Sequence, residues 1–185
     1  MSKNNILFSI KEYKVGNTSV DKFLIDAFNS KDSLLFWSPI HRNAYDINSL
    51  LSKFRSQVGE YLLFIAYNED IPKAIYMAHS ISYTHKRADV LVYVKPQERI
   101  KIGVFSWWTQ FLMNLSSRGV NRVFGKVFSF NTVSIKAAIQ AGFEQCGVLP
   151  DYVYIDGKPE TAILFSRNTA LTNVEKKWKD KSILY

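Results

Sequence analysis

The chain has 185 residues, of which 47% are hydrophobic, one cysteine, Cys146, and a formal net charge of +8 at pH 7. This length suits one core-bearing domain, the apolar content argues against disorder, and a single cysteine with three scattered histidines excludes an internal disulfide and argues against a metal site. Because the apolar runs are shorter than a membrane span and residues 1–10 begin with polar residues, we expect one cytoplasmic domain over residues 1–185, with no membrane partner and a basic tail over 168–185.

The first half of the chain shows strand and helix patterns in turn. Residues 6–14 alternate loosely as a strand, and the apolar residues within 20–28 share one helical face. Asp46 can cap a second helix, which Gly59 ends. Residues 61–83 hold two apolar runs around a polar turn and therefore predict a hairpin.

A strand over residues 89–95 follows, and Pro96 ends it because proline cannot donate to a strand ladder. The polar segment after Pro96 leads into a helix over about 103–117, which Gly119 ends. The residues of this helix that we expect toward the core are Phe105, Trp108, Leu112 and Leu115.

The last third predicts a strand over 122–127, a helix over 132–141, a strand over 143–149 and a closing hairpin over 152–167, whose turn is Asp-Gly. The sum is a mixed α/β sheet flanked by helices, in the order β-α-α-β-β-β-α-β-α-β-β. Strand-helix-strand successions imply locally parallel pairing near the middle of the sheet.

One helix of this series carries a spaced pattern, N-x-x-S-x-x-x-A-x-x-x-G-F, formed by Asn131, Ser134, Ala138, Gly142 and Phe143. Asn131 and Ser134 lie one helical turn apart, so both side chains can face one ligand. The alternatives are a plain helix cap for Asn131 and a surface residue for Ser134. The pattern resembles the acyl-CoA-binding helix of the GCN5-related N-acetyltransferase (GNAT) superfamily.

The resemblance extends over residues 88–167. Residues 88–96 resemble the fourth strand of that family, and residues 118–123 together with 131–143 are similar to its Rim-type N-terminal acetyltransferase branch. The resemblance implies a GNAT-like sheet, splayed at its centre. It also implies acetyl-CoA or a longer acyl-CoA as co-substrate, with no metal.

The resemblance further implies a set of cofactor-binding residues, in which strand backbone holds pantetheine and a loop wraps the pyrophosphate. They are Val92, Tyr93, Val94, Arg99, Lys101, Ile102, Gly103, Val104, Asn131 and Ser134. The loop departs from the family pattern Q/R-x-x-G-x-G/A, because Ile102 and Val104 occupy its two small positions and Gly103 lies between them. Since Arg99 and Lys101 remain to meet phosphate, we expect a loop with a shifted backbone; an ordinary strand-to-helix turn is the alternative.

Acyl transfer to an amine requires an unprotonated amine, a stabilised oxyanion and a protonated leaving thiolate. Asp89 stands where the family often has a glutamate that acts as the base, directly or through water, and a solvent-facing carboxylate is the alternative. His79 is the second candidate base, and a satisfied core histidine is its alternative.

The acid that many family members carry seven residues after the asparagine is absent, since Ala138 occupies that position. Tyr152 is the preferred substitute, ahead of Tyr154 and Tyr93, and each of the three could also serve packing alone. Cys146 has no histidine placed beside it by the sequence, so we expect a small buried apolar residue rather than a nucleophile.

These residues predict a CoA-dependent N-acyltransferase that moves an acyl group to the primary amine of a small molecule by direct attack in a ternary complex. The net charge suits an amino sugar carried on a nucleotide, and Trp37 and His41 lie in the segment expected to form the acceptor wall. Acetylation of a protein N-terminus or of aminoacyl-tRNA, and a non-catalytic binding module, remain open, as does a homodimer. No other nucleic acid is expected, because no nucleic-acid-binding signature accompanies the charge.

Overall fold

The computed structural model describes residues 8–30, 46–58, 60–99 and 103–170. Its elements in chain order are β1 (Phe8–Glu12), α1 (Thr18–Asn29), α2 (Ile47–Val58), β2 (Tyr61–Asn68), β3 (Ile71–Ser82), β4 (Arg87–Val94), α3 (Gly103–Ser117), β5 (Arg122–Phe128), α4 (Thr132–Gln140), β6 (Glu144–Ile155) and β7 (Lys158–Asn168). The strands form one sheet in the order β1-β2-β3-β4-β5-β7-β6. The mixed α/β architecture and its element order are as predicted.

The helix cap and the hairpin turn predicted from the sequence are present in the structure. The backbone N–H of Ser49 donates to the Asp46 carboxylate at 2.9 Å, which caps α2. Glu69 and Asp70 both have positive φ, which gives the β2–β3 hairpin a turn two residues long, tighter than expected. The predicted strands at 143–149 and 152–155 form one strand, β6, whose pairing with β7 is irregular between Leu149 and Val153.

Pairing between β4 and β5 is parallel and short. It covers only Arg87 with Arg122, Ala88 with Val123, and Asp89 with Phe124. Beyond Asp89, β4 stays paired with β3 as far as Val94, while β5 stays paired with β7 as far as Phe128. The sheet therefore splits at its centre, which confirms the predicted splay.

The two faces of the sheet carry separate cores, because successive strand residues point to opposite faces. On the first face, the sheet packs against α3 and against apolar residues of α4. On the second face, it packs against α1 and α2. Tyr76 belongs to the first core, whereas its neighbours Ile75 and Met77 belong to the second. We call these the α3 face and the α1–α2 face.

Two expectations about burial are wrong. Phe105 is 45% exposed, although Leu112, at the same angle around α3 and two turns later, is fully buried. The difference arises from position along the helix, since Phe105 lies on its opening turn. Cys146 is exposed because it lies on β6, an edge strand paired only with β7, at an irregularity between Gln145 and Gly147.

The described chain stays packed to the end of its last strand. Thr169 is buried, and its hydroxyl donates to the Val120 carbonyl at 2.8 Å. The chain is thus ordered against α3 and β5 two residues into the predicted tail, whose residues 171–185 lie outside the described part. Within the described ranges, no helix is long and apolar enough to cross a membrane.

The turn after α4 yields a stability prediction. Gly142 has φ +78°, and a Cβ there would lie 3.3 Å from Nη1 of Arg167, which donates to the Ala141 carbonyl. Gly119 also has positive φ, but a Cβ there meets nothing within 4 Å. We expect Gly119→Ala to lower the free energy of unfolding by about 1 kcal/mol and Gly142→Ala by about 2 kcal/mol. Urea unfolding measures both, and equal losses would show that Arg167 does not hold the turn.

Candidate active site

The strand register brings two of the predicted catalytic residues together at the split. Asp89 is the last β4 residue paired with β5, and it lies directly opposite His79 on β3 and Phe124 on β5. Directly opposite residues share a face, and Leu91 and Tyr93, which follow Asp89 at alternate positions, pack toward the α1–α2 core. Asp89 and His79 therefore meet on the α1–α2 face, where the parallel ladder ends.

The surroundings of His79 favour the neutral imidazole. Burial lowers the pKa of His79; the Asp89 carboxylate raises it in part, and Lys126 lowers it. Nδ1 of His79 lies 3.1 Å from the Ser80 hydroxyl. In the tautomer whose Nδ1–H donates to this hydroxyl, Nε2 carries the lone pair that can accept a proton from a bound molecule.

Tyr152, the preferred acid, is joined to the same region by Lys126. Nζ of Lys126 donates to Oη of Tyr152 at 2.9 Å and lies 5.2 Å from the centre of its ring. Tyr152 is 44% exposed, and because its oxygen accepts this hydrogen bond, its O–H can still donate another. Asp89, His79, Lys126 and Tyr152 thus form one group, which we call the polar cluster. Lys126 was not singled out in the sequence, where it is only a polar residue in an apolar strand.

The two alternative tyrosines occupy different surroundings. Tyr93 is buried in the α1–α2 core, with its ring centre 6.4 Å from that of Phe23. Tyr154 is 65% exposed, farther along β6. Tyr93 packs in the core, whereas Tyr152 is hydrogen-bonded to Lys126.

On the opposite side of the split, Asn131 caps α4 and retains a spare donor. Its Oδ1 accepts from the backbone N–H of Ser134 at 3.1 Å, while its Nδ2 is buried with no hydrogen-bond partner among the described residues. Buried amide donors are normally paired. Asn131 is therefore a helix cap and can also donate to a bound molecule, so the two interpretations of this residue are compatible. Ser134 is half-buried on the same opening turn.

The predicted phosphate loop is described only at its two ends. Nε of Arg99 donates to the Val94 carbonyl at 3.1 Å, which folds the guanidinium back onto the end of β4. Gly103 begins α3, and the Val104 carbonyl accepts from the buried hydroxyl of Tyr76 at 3.4 Å. Lys101 and Ile102 lie outside the described residues, as do Trp37 and His41, so the loop conformation and the acceptor wall stay predictions.

Basic side chains near the end of β4 are held in place by packing. Nζ of Lys95 lies 4.7 Å from the centre of the Phe23 ring, and burial, followed by the charge of Lys73, lowers the pKa of Lys95. Lys73 pairs with the buried carboxylate of Glu98 at 3.1 Å. These contacts fix the strand end from which the loop departs.

The split is narrow where it opens. A Cβ built on Gly125 would lie 4.0 Å from the Val90 carbonyl oxygen on β4, across the split. Beyond this point, the side chains of Val92 and Val94 pack on the α3 core, while the β4 edge toward β5 has no strand partner among the described residues. An extended polar chain can pair with such an edge. No group of three or more His, Cys, Asp or Glu that could hold a metal ion occurs in the described ranges.

Known proteins match this chain in structure and not in sequence. No protein-family model matches it, and neither does any curated protein. Spermidine N-acetyltransferase from Vibrio cholerae, solved in complex with CoA and spermine, superposes with a TM-score of 0.73 at 13% identity over 88% of this chain and 96% of its own. The chain has the GNAT fold.

Two further structures with the GNAT fold agree. An N-acetyltransferase from Staphylococcus aureus Mu50 gives a TM-score of 0.66 at 13% identity, over 88% of this chain and 99% of its own. A protein provisionally described as a phosphinothricin N-acetyltransferase gives 0.67 at 18% identity, over 89% and 99%. The family resemblance inferred from 88–167 thus extends to the fold of nearly the whole chain, while the Rim-type branch is not confirmed.

Removing the charge of Asp89 and removing the charge of Lys126 should shift the pKa of His79 in opposite directions. The pKa of His79 should lie below the ordinary value of 6.5. Asp89→Asn removes a negative charge that favours imidazolium and should lower this pKa further, whereas Lys126→Gln removes a positive charge and should raise it. NMR titration of the imidazole C–H resonances, assigned with His79→Gln, measures both shifts, and the exposed His85 serves as the internal control. Shifts of the same sign in the two variants would contradict the assigned cluster.

Proposed function

We propose that the protein is a CoA-dependent N-acyltransferase that moves an acyl group from acyl-CoA to a primary amine of a small molecule, by direct attack in a ternary complex. The observation that carries this proposal is the early end of the β4–β5 ladder at Asp89, with the polar cluster beside it. The GNAT fold supports the proposal, since the Vibrio cholerae spermidine N-acetyltransferase of this fold was solved with CoA.

The donor is proposed to approach from the α3 face. Pantetheine would pair with the open backbone edge of Val92, Tyr93 and Val94, and the spare Nδ2 donor of Asn131 would bind the same arm, with Ser134 beside it. The pyrophosphate would lie at the opening turn of α3, where free N–H groups favour anions. The loop residues proposed for it remain Arg99, Lys101, Ile102, Gly103 and Val104.

The chemistry is proposed to occur on the α1–α2 face, where the thioester emerges from the split. The amine nitrogen forms a bond to the acyl carbon as the carbon–sulfur bond breaks. The amine proton passes to Nε2 of His79, or through water to the Asp89 carboxylate, and the Tyr152 hydroxyl protonates the CoA thiolate. Support comes from the cross-strand pairing of His79 with Asp89 and from the lowered pKa of His79, which keeps a base available at neutral pH.

The acceptor is proposed to be an amino sugar carried on a nucleotide, with Trp37 and His41 on its wall. The support is the net charge of +8, which attracts an anionic acceptor as well as the anionic donor. Spermidine, the substrate named for the Vibrio cholerae neighbour, shows that the GNAT fold accommodates small amines. A cytoplasmic location and a homodimer stay predictions.

Calorimetric titration with acetyl-CoA tests the donor site directly, and release of free thiol on adding amines then tests transfer. Gly125→Leu places a large side chain against the β4 edge and should weaken acetyl-CoA binding at least about 10-fold, whereas Gly125→Ala should bind like the wild type, because its Cβ makes only a 4.0 Å contact. Absence of saturable binding at millimolar acetyl-CoA would overturn the proposal. If Gly125→Leu binds acetyl-CoA as tightly as Gly125→Ala does, the donor does not bind in the split.

A further inference from the structure

Lys126 is a basic residue beside the proposed reaction centre. Its Nζ contacts the hydroxyl and the ring of Tyr152, and no carboxylate lies in ion-pair range of this Nζ within the described ranges. Lys126 is nonetheless near enough to His79 to lower the pKa of that residue. An exposed ammonium at this place adds positive potential to the surface that an amine must approach.

The surrounding charges reinforce this potential. Arg87 and Arg122 lie directly opposite each other on β4 and β5, on the same face as Asp89, and like charges placed this way repel. Arg122 and Lys126 are four residues apart along β5, or roughly 13 Å. A basic strip thus leads along β5 to the split, which we define as Arg87, Arg122 and Lys126.

Among the described residues, the acidic side chains on this face form no ion pair with Lys126. Asp89 lies between His79 and Phe124, and it forms no ion pair with Lys126 among the described residues. Glu144 and Glu160 share the face by register but belong to the outer strands, opposite Ser166 and Val153. A ligand anion is therefore the partner that the geometry leaves open to Lys126.

We propose that Lys126 binds an anionic group of the acceptor, a carboxylate or a phosphate, and so makes the enzyme selective for amines that also carry negative charge. This inference rests on the proposed acyl transfer and deepens it by assigning a specificity-determining residue. Such a charge-assisted hydrogen bond is short and strong when partly shielded from water. Phe124, between Arg122 and Lys126 on the same face, and Tyr152 provide the apolar surface beside it.

The acceptor preference of this chain should differ from that of the neighbour solved with spermine. The Vibrio cholerae enzyme was solved with spermine, a molecule with several amines. A polycation on the α1–α2 face of this chain would meet the basic strip, where each close contact with a like charge opposes binding. Polyamines should accordingly be poor acceptors here, even though the fold is shared.

Binding at Lys126 would also act on the base. When an acceptor anion neutralises Lys126, the positive charge that lowers the pKa of His79 is offset. The imidazole then becomes a stronger base as the correct acceptor binds, and an acceptor without the anion leaves it unchanged. Recognition and proton removal are coupled through one lysine.

Matched amines test this inference. Glucosamine 6-phosphate is compared with glucosamine for the phosphate, and β-alanine with β-alaninamide for the carboxylate, with spermidine as the cation. Each is titrated calorimetrically in the presence of desulfo-CoA, so that binding is read without turnover. We expect the anionic member of at least one pair to bind more tightly by about 10- to 100-fold, as one charged hydrogen bond provides, and spermidine to bind weakly.

The variants assign the preference to Lys126. Lys126→Gln keeps a hydrogen-bond donor for Tyr152 but removes the charge, and it should abolish the preference; Lys126→Arg should retain it. Lys158→Met, an exposed lysine at the β6–β7 hairpin, is the matched control and should change nothing. An anion preference that survives in Lys126→Gln, or no preference in the wild type, would overturn the inference.

Thiol release with acetyl-CoA distinguishes failure of the Lys126 assignment from failure of the acyltransferase proposal. If amines are acylated with no anion preference, the assignment of Lys126 fails while the acyltransferase proposal stands. If the preference exists and disappears in Lys126→Gln, but no amine is ever acylated, Lys126 binds the anion and the acyltransferase proposal fails.

Discussion

The structure depends on the early end of one parallel ladder. β4 and β5 pair over only three positions and then diverge, yet each strand keeps its other neighbour along its remaining length. The split therefore exposes one edge on β4 without loosening either half of the sheet, since the two faces are packed on separate cores. Backbone N–H and C=O groups on an open edge must find water or a ligand. In the proposed function, the pantetheine arm of acyl-CoA is the ligand that pairs with these groups.

Strand alternation gives the two sides of this split different chemistry. On the α3 face lie the open end of α4 and the spare amide donor of Asn131; on the α1–α2 face lie the polar cluster and the basic strip. A thioester that passes through the split would be held on one side and react on the other. The same alternation places Lys126 on the face where the reaction is proposed, so the register of a single strand would determine both the proposed catalysis and the proposed acceptor charge.

Local signals in the sequence were enough to predict the fold. The site was harder to predict, because it is formed by residues that are far apart in the sequence. Asp46, Pro96 and the polar turn after β2 act through neighbours a few residues away, so their effects could be predicted. The pairing of His79 with Asp89 depends on inter-strand register, which local sequence does not specify. The role of Lys126 could be inferred only from its hydrogen bond to Tyr152, a residue on another strand, β6. The exposure of Phe105 and Cys146 depends on where an element ends or lies at an edge, which periodicity does not encode.

Amide hydrogen exchange with and without acetyl-CoA tests most directly whether the split is the donor site. Exchange should slow for the β4 amides in residues 90–94 that do not bond to β3, and for the opening turn of α4 at 132–134. Exchange in β1 and β2, at the far edge of the sheet, should not change. Slowed exchange at 90–94 on saturation with acetyl-CoA is the result that this account predicts. Saturable binding that leaves 90–94 unaltered would contradict it.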